Sequence, residues 1–269
     1  MERTLSGVLA ILVVVSVVFA AAISFTVYVG MTYRATLAST YDYQVSITSD
    51  AVLRNATLFI PIPERGRENS AVLREIGSGK LQGIPEGWKI SLIGTQKFTM
   101  LEVTAREMAP TPVGKPYLLT LHAAVRGPID TKDAGSGDLV LEPAAFRSPA
   151  ACEDTVAQES PEASCWMYEG PVYAAFTAPE SARVTIFVYV DGRNSWDVLG
   201  PSSNEYQDGL QVSFSGGARG WRTGSGILVS GIGDYGIDFW VQGQVTPGTS
   251  GVASGQRAGS TGRSIGGAA

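Results

Sequence analysis

The first part of the chain has a hydrophobic pattern unlike that of the rest. No charged residue occurs from Thr4 to Tyr33, and most of the side chains in this segment are hydrophobic. A helix of about 20 apolar residues is long enough to cross the hydrocarbon core of a bilayer. Residues 1–34 are therefore predicted to form an N-terminal transmembrane anchor, with residues 4–33 in the membrane.

Two other interpretations of this segment stay open at the level of sequence. Ala20-Ala21-Ala22 fits the cleavage site of a secretory signal peptide, whereas a pilin-type segment would be processed near Gly7 and would pack inside a filament. The mainly apolar run continues from Ile23 to Met31. It is therefore longer than the apolar core of a signal peptide, which is about 7–15 residues. Tyr28 and Tyr33 also suit an aromatic belt at a membrane surface, so we favour the uncleaved anchor.

After Arg34 the apolar positions change to a period of two. Tyr41, Tyr43, Val45 and Ile47 alternate with polar residues. Such alternation is typical of a strand with one buried face. Further strands are predicted at 56–62, 88–94, 97–105, 117–126, 171–177, 183–190, 210–214, 226–230 and 236–242. The pattern predicts one short helix, at 67–77, and allows a strand at Leu139–Leu141.

Many short strands separated by turn residues predict an all-β, β-sandwich-like region over residues 35–246. Residues 127–169 are rich in Pro, Gly, Ala and acidic residues and do not resemble core. This long connection would separate two sub-domains if the region has more than one. The Gly/Ser-rich tail, residues 247–269, has too few apolar side chains to offset the entropy of ordering and is predicted to be disordered.

Turn and proline chemistry adds two local predictions. Asp191-Gly192 follows the most apolar of the predicted strands and predicts a tight turn there. Pro61 and Pro63 lack the N–H group that a ladder needs, so their strand is expected to end at them or to lie at an edge of the sheet.

Composition and charge restrict the location and the partners. Only 17% of the residues are charged, which is below the proportion of about a quarter found in soluble proteins, because the apolar segment and the tail dilute an acidic β-region. The net charge of −5 gives no basic footprint for nucleic acid. Arg3 and Arg34 lie on opposite sides of the apolar segment, so the positive-inside rule gives little preference for one orientation of the segment over the other. The β-rich remainder favours a single-pass cell-membrane protein with a cytoplasmic N-terminus and an extracytoplasmic bulk.

The chain has two cysteines, Cys152 and Cys165. A structural disulfide between them suits an exported chain. It would tether the acidic connection and would stabilise the fold by about 3 kcal/mol in the entropic model. Two free thiols in a reducing compartment are the alternative.

Asn55-Ala56-Thr57 matches the N-glycosylation sequon, so Asn55 is a candidate for modification. Such tripeptides also arise by chance, and sequence alone leaves the two readings open.

The chain offers little for catalysis or cofactor binding. One histidine and two cysteines exclude the common four-ligand zinc sites, and only His122 is available as the base of a nucleophilic triad. We expect a structural role for His122. The segment from Gly231 to Gly236 matches Gly-x-Gly-x-x-Gly, but a dinucleotide site needs a helix where this sequence is strand-like, so we expect turns. We assign no catalytic, cofactor-binding or metal-ligating residue.

Acidic loops are the remaining candidates for cation binding. Asp130, Asp133 and Asp138 share a Gly-rich loop, and the six acidic residues between Ser148 and Ala182 have no Lys or Arg among them. Oxygen-rich loops can hold Ca²⁺, but the spacing matches no calcium loop. A solvated acidic face is therefore expected.

Aromatic residues are concentrated in the second half of the chain. Exposed together, they would form a carbohydrate platform; we expect them instead to pack in the core and in turns. They are Trp166, Tyr168, Tyr173, Trp196, Tyr206, Trp221, Tyr235, Phe239 and Trp240.

Two stretches carry a family resemblance. One runs from Tyr41-Asp42-Tyr43 through Asn55-Ala56-Thr57-Leu58-Phe59-Ile60-Pro61-Ile62-Pro63, and the other from Gly220-Trp221-Arg222 through Gly231-Ile232-Gly233-Asp234-Tyr235. These stretches resemble archaeal membrane-anchored surface proteins of unknown function, especially those of methanogens. The resemblance implies an N-terminal anchor and an external β-domain, and it implies no activity and no catalytic residues.

These observations together predict a membrane-anchored extracytoplasmic β-domain protein with a binding, adhesion or envelope-structural role. Its partners would be the membrane, through residues 4–33, and an envelope protein or a glycan. One alternative is a subunit of a pilus-like filament or envelope complex, in which the apolar segment packs against other subunits. Another is an extracytoplasmic hydrolase that uses paired carboxylates.

Overall fold

A computed structural model describes residues 2–65, 70–94, 98–144, 147–153, 156, 158 and 160–236, with the backbone alone for 2–10 and Gly137. The predicted tail at 247–269, most of the predicted strand 236–242 and the turn at 95–97 lie outside these residues. The chain begins with helix α1, Glu2–Thr36. From Ile11 to Thr36 this helix is long and apolar enough to span a membrane, and its central side chains lie on the surface.

The rest of the described chain is mainly β-structure, which confirms the predicted all-β class. Its strands are β1 Ala38–Ser49, β2 Leu53–Glu64, β3 Trp88–Gly94, β4 Thr99–Met108, β5 Tyr117–Val125, β6 Val140–Glu142, β7 Ser148–Ala150, β8 Ser164–Thr177, β9 Arg183–Asp197, β10 Pro201–Ser215 and β11 Ala218–Gly233. They form one antiparallel sheet in the order β3-β4-β2-β8-β11-β10-β9-β1-β5, while β6 pairs with β2 and β7 with β8. Strands that precede residue 127 thus flank both sides of the block formed by β8, β11, β10 and β9 in the same sheet.

The sheet curls around a single hydrophobic core. β1 and β2 are separated by four other strands in the sheet order, yet the Tyr43 hydroxyl on β1 donates a 2.9 Å hydrogen bond to the carbonyl oxygen of Pro61 on β2. Alternate residues of each strand face inward, as in β9, where the buried set is Val184, Ile186, Val188 and Val190. The period of two seen in the sequence therefore corresponds to an inner and an outer face.

The tight turn predicted at Asp191-Gly192 is wrong. β9 continues through both residues to Asp197 and pairs with β10 over its whole length. Gly192 is instead required by packing, because a Cβ atom there would lie 2.1 Å from the ring of Tyr206, its partner on β10. The β9–β10 connection comes later, at residues 198–200.

The prediction for the proline-bearing strand is also wrong. β2 runs on to Glu64 and lies inside the sheet, between β4 and β8. Its pairing with β8 ends at Phe59, two residues before Pro61, and residues 62–64 pair with β6 instead. The prolines therefore accompany a change of partner strand and do not end β2.

The long connection at 127–169 contributes to the core, contrary to the expectation from its composition. Ile129, Leu139 and Leu141 are buried in the core cluster. Two polar side chains of the sheet bind its backbone: Asn194 Nδ2 donates to the carbonyl oxygen of Ile129 at 2.8 Å, and Asp208 Oδ2 accepts from the N–H of Leu141 at 2.8 Å. These hydrogen bonds satisfy buried backbone groups that a sparse set of apolar residues could not bury alone.

Two short helices lie in the connections. Helix α2, Ala71–Gly77, is capped at its N-terminus by Ser70, whose hydroxyl accepts a 3.0 Å hydrogen bond from the N–H of Leu73. It packs on β5, β2 and β3 and covers the gap between the two edges of the sheet, β3 and β5. It matches the part of the predicted helix 67–77 that is described. Helix α3, Ala134–Gly137, lies in the connection before β6.

The sheet is packed against the end of α1. The rings of Tyr33 on α1 and Trp196 on β9 have centroids 5.5 Å apart, and Val29 and Val198 complete this small buried cluster. The N–H of Asp197 also donates to the Thr36 hydroxyl at 3.0 Å. The end of the sheet formed by the start of β1 and the end of β9 therefore adjoins the helix.

Candidate functional site

Three aromatic side chains from adjacent strands form a row on the outer face of the sheet. Phe59 on β2 is the cross-strand partner of Tyr173 on β8, and Tyr173 is the partner of Trp221 on β11. Their chain neighbours on β2 and β8, including Leu58 and Ala174, are buried in the core, which directs the three rings outward. We call Phe59, Tyr173 and Trp221 the aromatic triad.

The rings of the aromatic triad contact one another. Phe59 and Tyr173 stack at 4.8 Å between centroids, and Tyr173 meets Trp221 edge to face at 5.4 Å. Trp221 is 54% exposed, whereas Phe59 and Tyr173 are half-buried. Aromatic residues contribute a large apolar surface at few rotatable bonds, and Trp and Tyr are enriched among binding hot spots. The triad therefore offers a supported apolar surface to a ligand.

Polar side chains extend the same row onto β4 and β3. Glu102 is the partner of Phe59, and Ser91 is the partner of Glu102. The Ser91 hydroxyl donates a hydrogen bond to Glu102 Oε2. From β3 to β11 the row thus presents a hydroxyl group, a carboxylate and three rings.

A shallow cavity of about 340 Å³ adjoins the aromatic triad on β2, β3 and β4. The hydroxyl-bearing residues Thr57 and Thr104 line it, together with the cations Lys89 and Arg106. Lys89, Thr104 and Thr57 are each two residues along their strands from Ser91, Glu102 and Phe59. A hydroxyl-lined, basic surface therefore lies directly beside the aromatic row.

The positive charge beside the triad is not neutralised within the described part of the chain. Lys89, Arg106 and Arg219 are exposed, and none of them forms an ion pair there. Arg219 is two residues before Trp221 on β11 and shares its outward direction. In a chain whose net charge is −5, this is a local concentration of positive charge.

A second cavity, of about 610 Å³, continues along the outer face over β8, β9, β10 and β11. Met167, Phe187 and Ile227 provide apolar walls, and Gly209 leaves the floor open between them. Thr223, two residues from Trp221, also lines this cavity. The triad therefore lies at one end of a longer trough.

A separate cluster of charged side chains lies on the outer face of β5, β1, β9 and β10. His122 Nδ1 and Asp42 Oδ1 are 2.8 Å apart on neighbouring strands, so His122 belongs to an exposed pair. Asp42 is the cross-strand partner of Asp191. Burial, followed by the charge of Glu205, raises the pKa of Asp191 to about 6.

One guanidinium group joins two carboxylates of this cluster. Arg193 Nη2 lies 3.9 Å from Asp191 Oδ2 and also contacts Glu205 Oε2. In a glycosidase the space between the two carboxyl groups is occupied by the sugar and water. Here the arginine occupies it, and the three side chains form an ion-pair network in which the guanidinium is half-exposed and both carboxylates are largely buried.

The two cysteines predicted to pair are joined, with 2.03 Å between the Sγ atoms. Cys165 is buried on β8, and Cys152 follows β7. Ala150 and Cys165 are cross-strand partners, so the disulfide extends the β7–β8 pairing.

Asn55 is exposed at an irregular position of β2. Its φ of 51° lies in the left-handed region, where the β2–β8 register shifts between Arg54 and Thr57. It also lines the cavity beside the aromatic triad. A glycan on Asn55 stays a prediction from the sequon.

The acidic loop residues bind the loop itself. Asp138 accepts hydrogen bonds from the Tyr41 hydroxyl and from the N–H of Asp130, and Asp130 Oδ1 accepts from the N–H of Asp133. Within the described residues no group of three or more His, Cys, Asp or Glu side chains is placed to hold a metal ion. Asp154 and Glu159 of the other acidic stretch lie outside those residues.

The positive φ values expected for the glycine motif are present, but Gly231 and Gly233 belong to a strand and not to the expected turn. Gly231 and Gly233 have φ values of 83° and 100°, and they lie at the end of β11. A Cβ on Gly233 would lie 2.4 Å from the carbonyl oxygen of Ser203. Residues from 237 onward lie outside the description.

The expected burial of the second-half aromatics is confirmed for Tyr168, Trp196 and Tyr206, but it is wrong for Trp221 and only partly right for Tyr173. The signal for the triad was present in strand parity, since Phe59 lies between the apolar residues Leu58 and Ile60 and so faces outward. What sequence reasoning lacked was the register that brings three distant strands together. Comparisons with protein-family models, curated proteins and solved structures gave no match for this chain.

Proposed function

We propose that this protein is a single-pass membrane protein that binds a component of the cell envelope through the outer face of its extracytoplasmic sheet. The observation that carries this proposal is the aromatic triad, with its exposed Trp221 ring, at the part of the sheet remote from α1. Monomeric surfaces rarely expose clustered large apolar side chains without an interaction role.

The position of the triad supports a role in binding. β9 starts at Arg183 and ends beside α1, a length of about 45 Å at ~3.3 Å per residue. Trp221 is the fourth residue of β11, next to the β10–β11 turn, which lies at the Arg183 end of the sheet. A helix that spans the membrane would therefore hold the triad well above the membrane surface.

The proposed location rests on two further features. The exposed apolar surface of α1 needs lipid or other protein around it. The Cys152–Cys165 disulfide supports the extracytoplasmic side, because such bonds persist in oxidising compartments. The proposed orientation thus has a cytoplasmic N-terminus.

Two measurements test the proposal. In intact cells that express the full chain with a C-terminal epitope tag, added protease should digest the β-region, whereas inverted vesicles should protect it. The opposite pattern would overturn the proposed location. Recovery of the chain only in sheared filaments would indicate a filament subunit instead.

Binding is tested by co-sedimentation of the detergent-solubilised full chain with envelope material stripped of protein. Trp221→Ala should abolish most of the sedimentation, because the substitution removes an exposed ring without disturbing the core. Leu199→Ala is the matched control, since Leu199 is a 77% exposed apolar residue near the α1 end of the sheet. Equal sedimentation of wild type and Trp221→Ala would overturn the binding role of the triad.

A further inference from the structure

We propose that the ligand of the aromatic triad is an acidic saccharide, a sugar chain that carries carboxylate or sulfate groups. This inference rests on the function proposed above and names the chemical class of its ligand. It is carried by three properties of one surface: exposed ring area, hydroxyl and carboxylate groups in register with the rings, and positive charge without a partner in the described chain.

The rings match the apolar faces of sugars. A pyranose has a face of C–H groups that packs on an aromatic ring, and the half-exposed indole of Trp221 presents such a ring. Phe59 and Tyr173 stack against each other at 4.8 Å and hold the row in place beneath it. The pre-formed contact reduces the entropy that binding must offset.

The polar groups beside the rings match sugar hydroxyls. Ser91, Thr57 and Thr104 carry hydroxyl groups that can both donate and accept, and Glu102 accepts. Glu102 is the cross-strand partner of Phe59, Ser91 lies one strand further along the same row, and Thr57 and Thr104 lie in the next row. Sugar hydroxyls also donate and accept, so the two sets are complementary.

The charge selects an acidic sugar. Lys89 and Arg106 line the cavity beside Phe59, and Arg219 lies beside Trp221. All three are exposed and have no ion-pair partner within the described residues. A carboxylate or sulfate group on a sugar bound over the rings would supply the missing negative charge, and arginine binds such groups in bidentate geometry.

A single-stranded nucleic acid also combines stacking with positive charge. The structure favours the saccharide, because the hydroxyl groups of Ser91, Thr57 and Thr104 beside the rings match sugar hydroxyls. Binding of a nucleic acid depends mainly on the neutralisation of many phosphates, for which this surface offers few cations. Nucleic acid is therefore kept as an outcome of the test.

The test is calorimetric titration of the detergent-solubilised full chain with three probes: an oligogalacturonate hexamer, a neutral maltohexaose, and a single-stranded DNA dodecamer. The oligogalacturonate should bind at least about tenfold more tightly than either other probe, and its affinity should fall as salt is added. Trp221→Ala should weaken its binding by about tenfold or more.

Charge variants separate the electrostatic contribution from stacking. Lys89→Gln combined with Arg219→Gln should weaken the binding of oligogalacturonate by about fivefold or more and should leave the affinity for maltohexaose unchanged. Arg126→Gln is the matched control and should have no effect, because Arg126 is an exposed arginine directly after β5, near α1.

Equal affinity for the acidic and neutral hexamers, no detectable oligogalacturonate binding, or tighter binding of the DNA would each overturn the acidic-saccharide proposal. If none of the probes binds while envelope co-sedimentation still depends on Trp221, the ligand class is wrong and the proposed function stands. If protease digests the β-region only in inverted vesicles, the proposed function itself fails.

Discussion

Gly192 on β9 lies directly beneath the ring of its cross-strand partner Tyr206 on β10, and a Cβ atom at residue 192 would lie 2.1 Å from Cε1 of that ring. Tyr206 is fully buried, and its hydroxyl donates to the carbonyl oxygen of Leu139. The absence of one side chain on β9 therefore allows a tyrosine to reach from the sheet to the connection before β6.

Gly192→Ala should destabilise the fold by about 2 kcal/mol or more, because the new methyl group must displace a buried ring that is hydrogen-bonded at its far end. Gly209→Ala on β10 is the matched control, since its Cβ would meet Phe187 at 3.4 Å, an ordinary contact. Denaturant unfolding of the two variants in detergent micelles measures the difference. Equal free energies of unfolding would show that Tyr206 moves aside at no cost.

Asp208 is expected to make the fold less stable as the pH rises from about 4 to about 6. Burial raises the pKa of this carboxyl to about 6, although hydrogen bonds from the Tyr168 hydroxyl and the Leu141 N–H favour the charged form. The folded chain therefore binds a proton more tightly than the unfolded chain in this range. The stabilisation that Asp208 contributes is fully present below the ordinary carboxyl pKa. It is lost as the pH rises through the pKa that this carboxyl has in the folded chain.

Asp208→Asn removes this titration and keeps an oxygen acceptor for Leu141. Between pH 4 and pH 7 the wild type should lose roughly 2–3 kcal/mol more stability than the variant. Asp191, whose pKa is also raised to about 6, is present in both proteins, so the difference isolates Asp208. Parallel stability profiles, from denaturant unfolding at a series of pH values, would contradict the assignment.

Trp196→Ala should loosen the junction between α1 and the sheet. The substitution removes the ring that packs on Tyr33, at a local cost of about 3 kcal/mol. Limited proteolysis of the full chain in detergent should then cut near Leu37 more rapidly than in the wild type. Trp196→Phe keeps an aromatic ring there and should retain most of the protection; rapid cleavage in both variants would show that ring packing does not hold the junction.

Replacement of both Cys152 and Cys165 by Ser should lower the free energy of unfolding by about 3 kcal/mol in the entropic model of loop closure. The main sheet should persist, because β7 pairs with β8 outside the main strand order. Circular dichroism should therefore be unchanged while the unfolding midpoint falls. Free thiols found in the wild type by alkylation before reduction would show that the disulfide does not form.

The local pattern of residues was enough to predict the anchor-like helix, the all-β class and most strand positions, because burial on one face of a strand imposes a period of two on the sequence. It predicted the positive φ of Gly231 and Gly233, a backbone conformation that favours glycine, although the two residues lie at the end of β11 and not in a turn. Asp191-Gly192 carries an equally good local turn signal, yet the glycine is needed because the ring of Tyr206 on the neighbouring strand packs against it. The residues near Gly192 in the sequence do not indicate this contact.

The aromatic triad depends on tertiary structure in the same way. Parity along β2 places Phe59 on the outer face, but only the register of β2, β8 and β11 brings it to Tyr173 and Trp221, more than a hundred residues away. The same register sets Lys89 and Arg219 beside the rings. Local sequence thus determined which face each side chain occupies, whereas strand pairing decided which of them meet, because contacts across a sheet join residues that the chain itself keeps far apart.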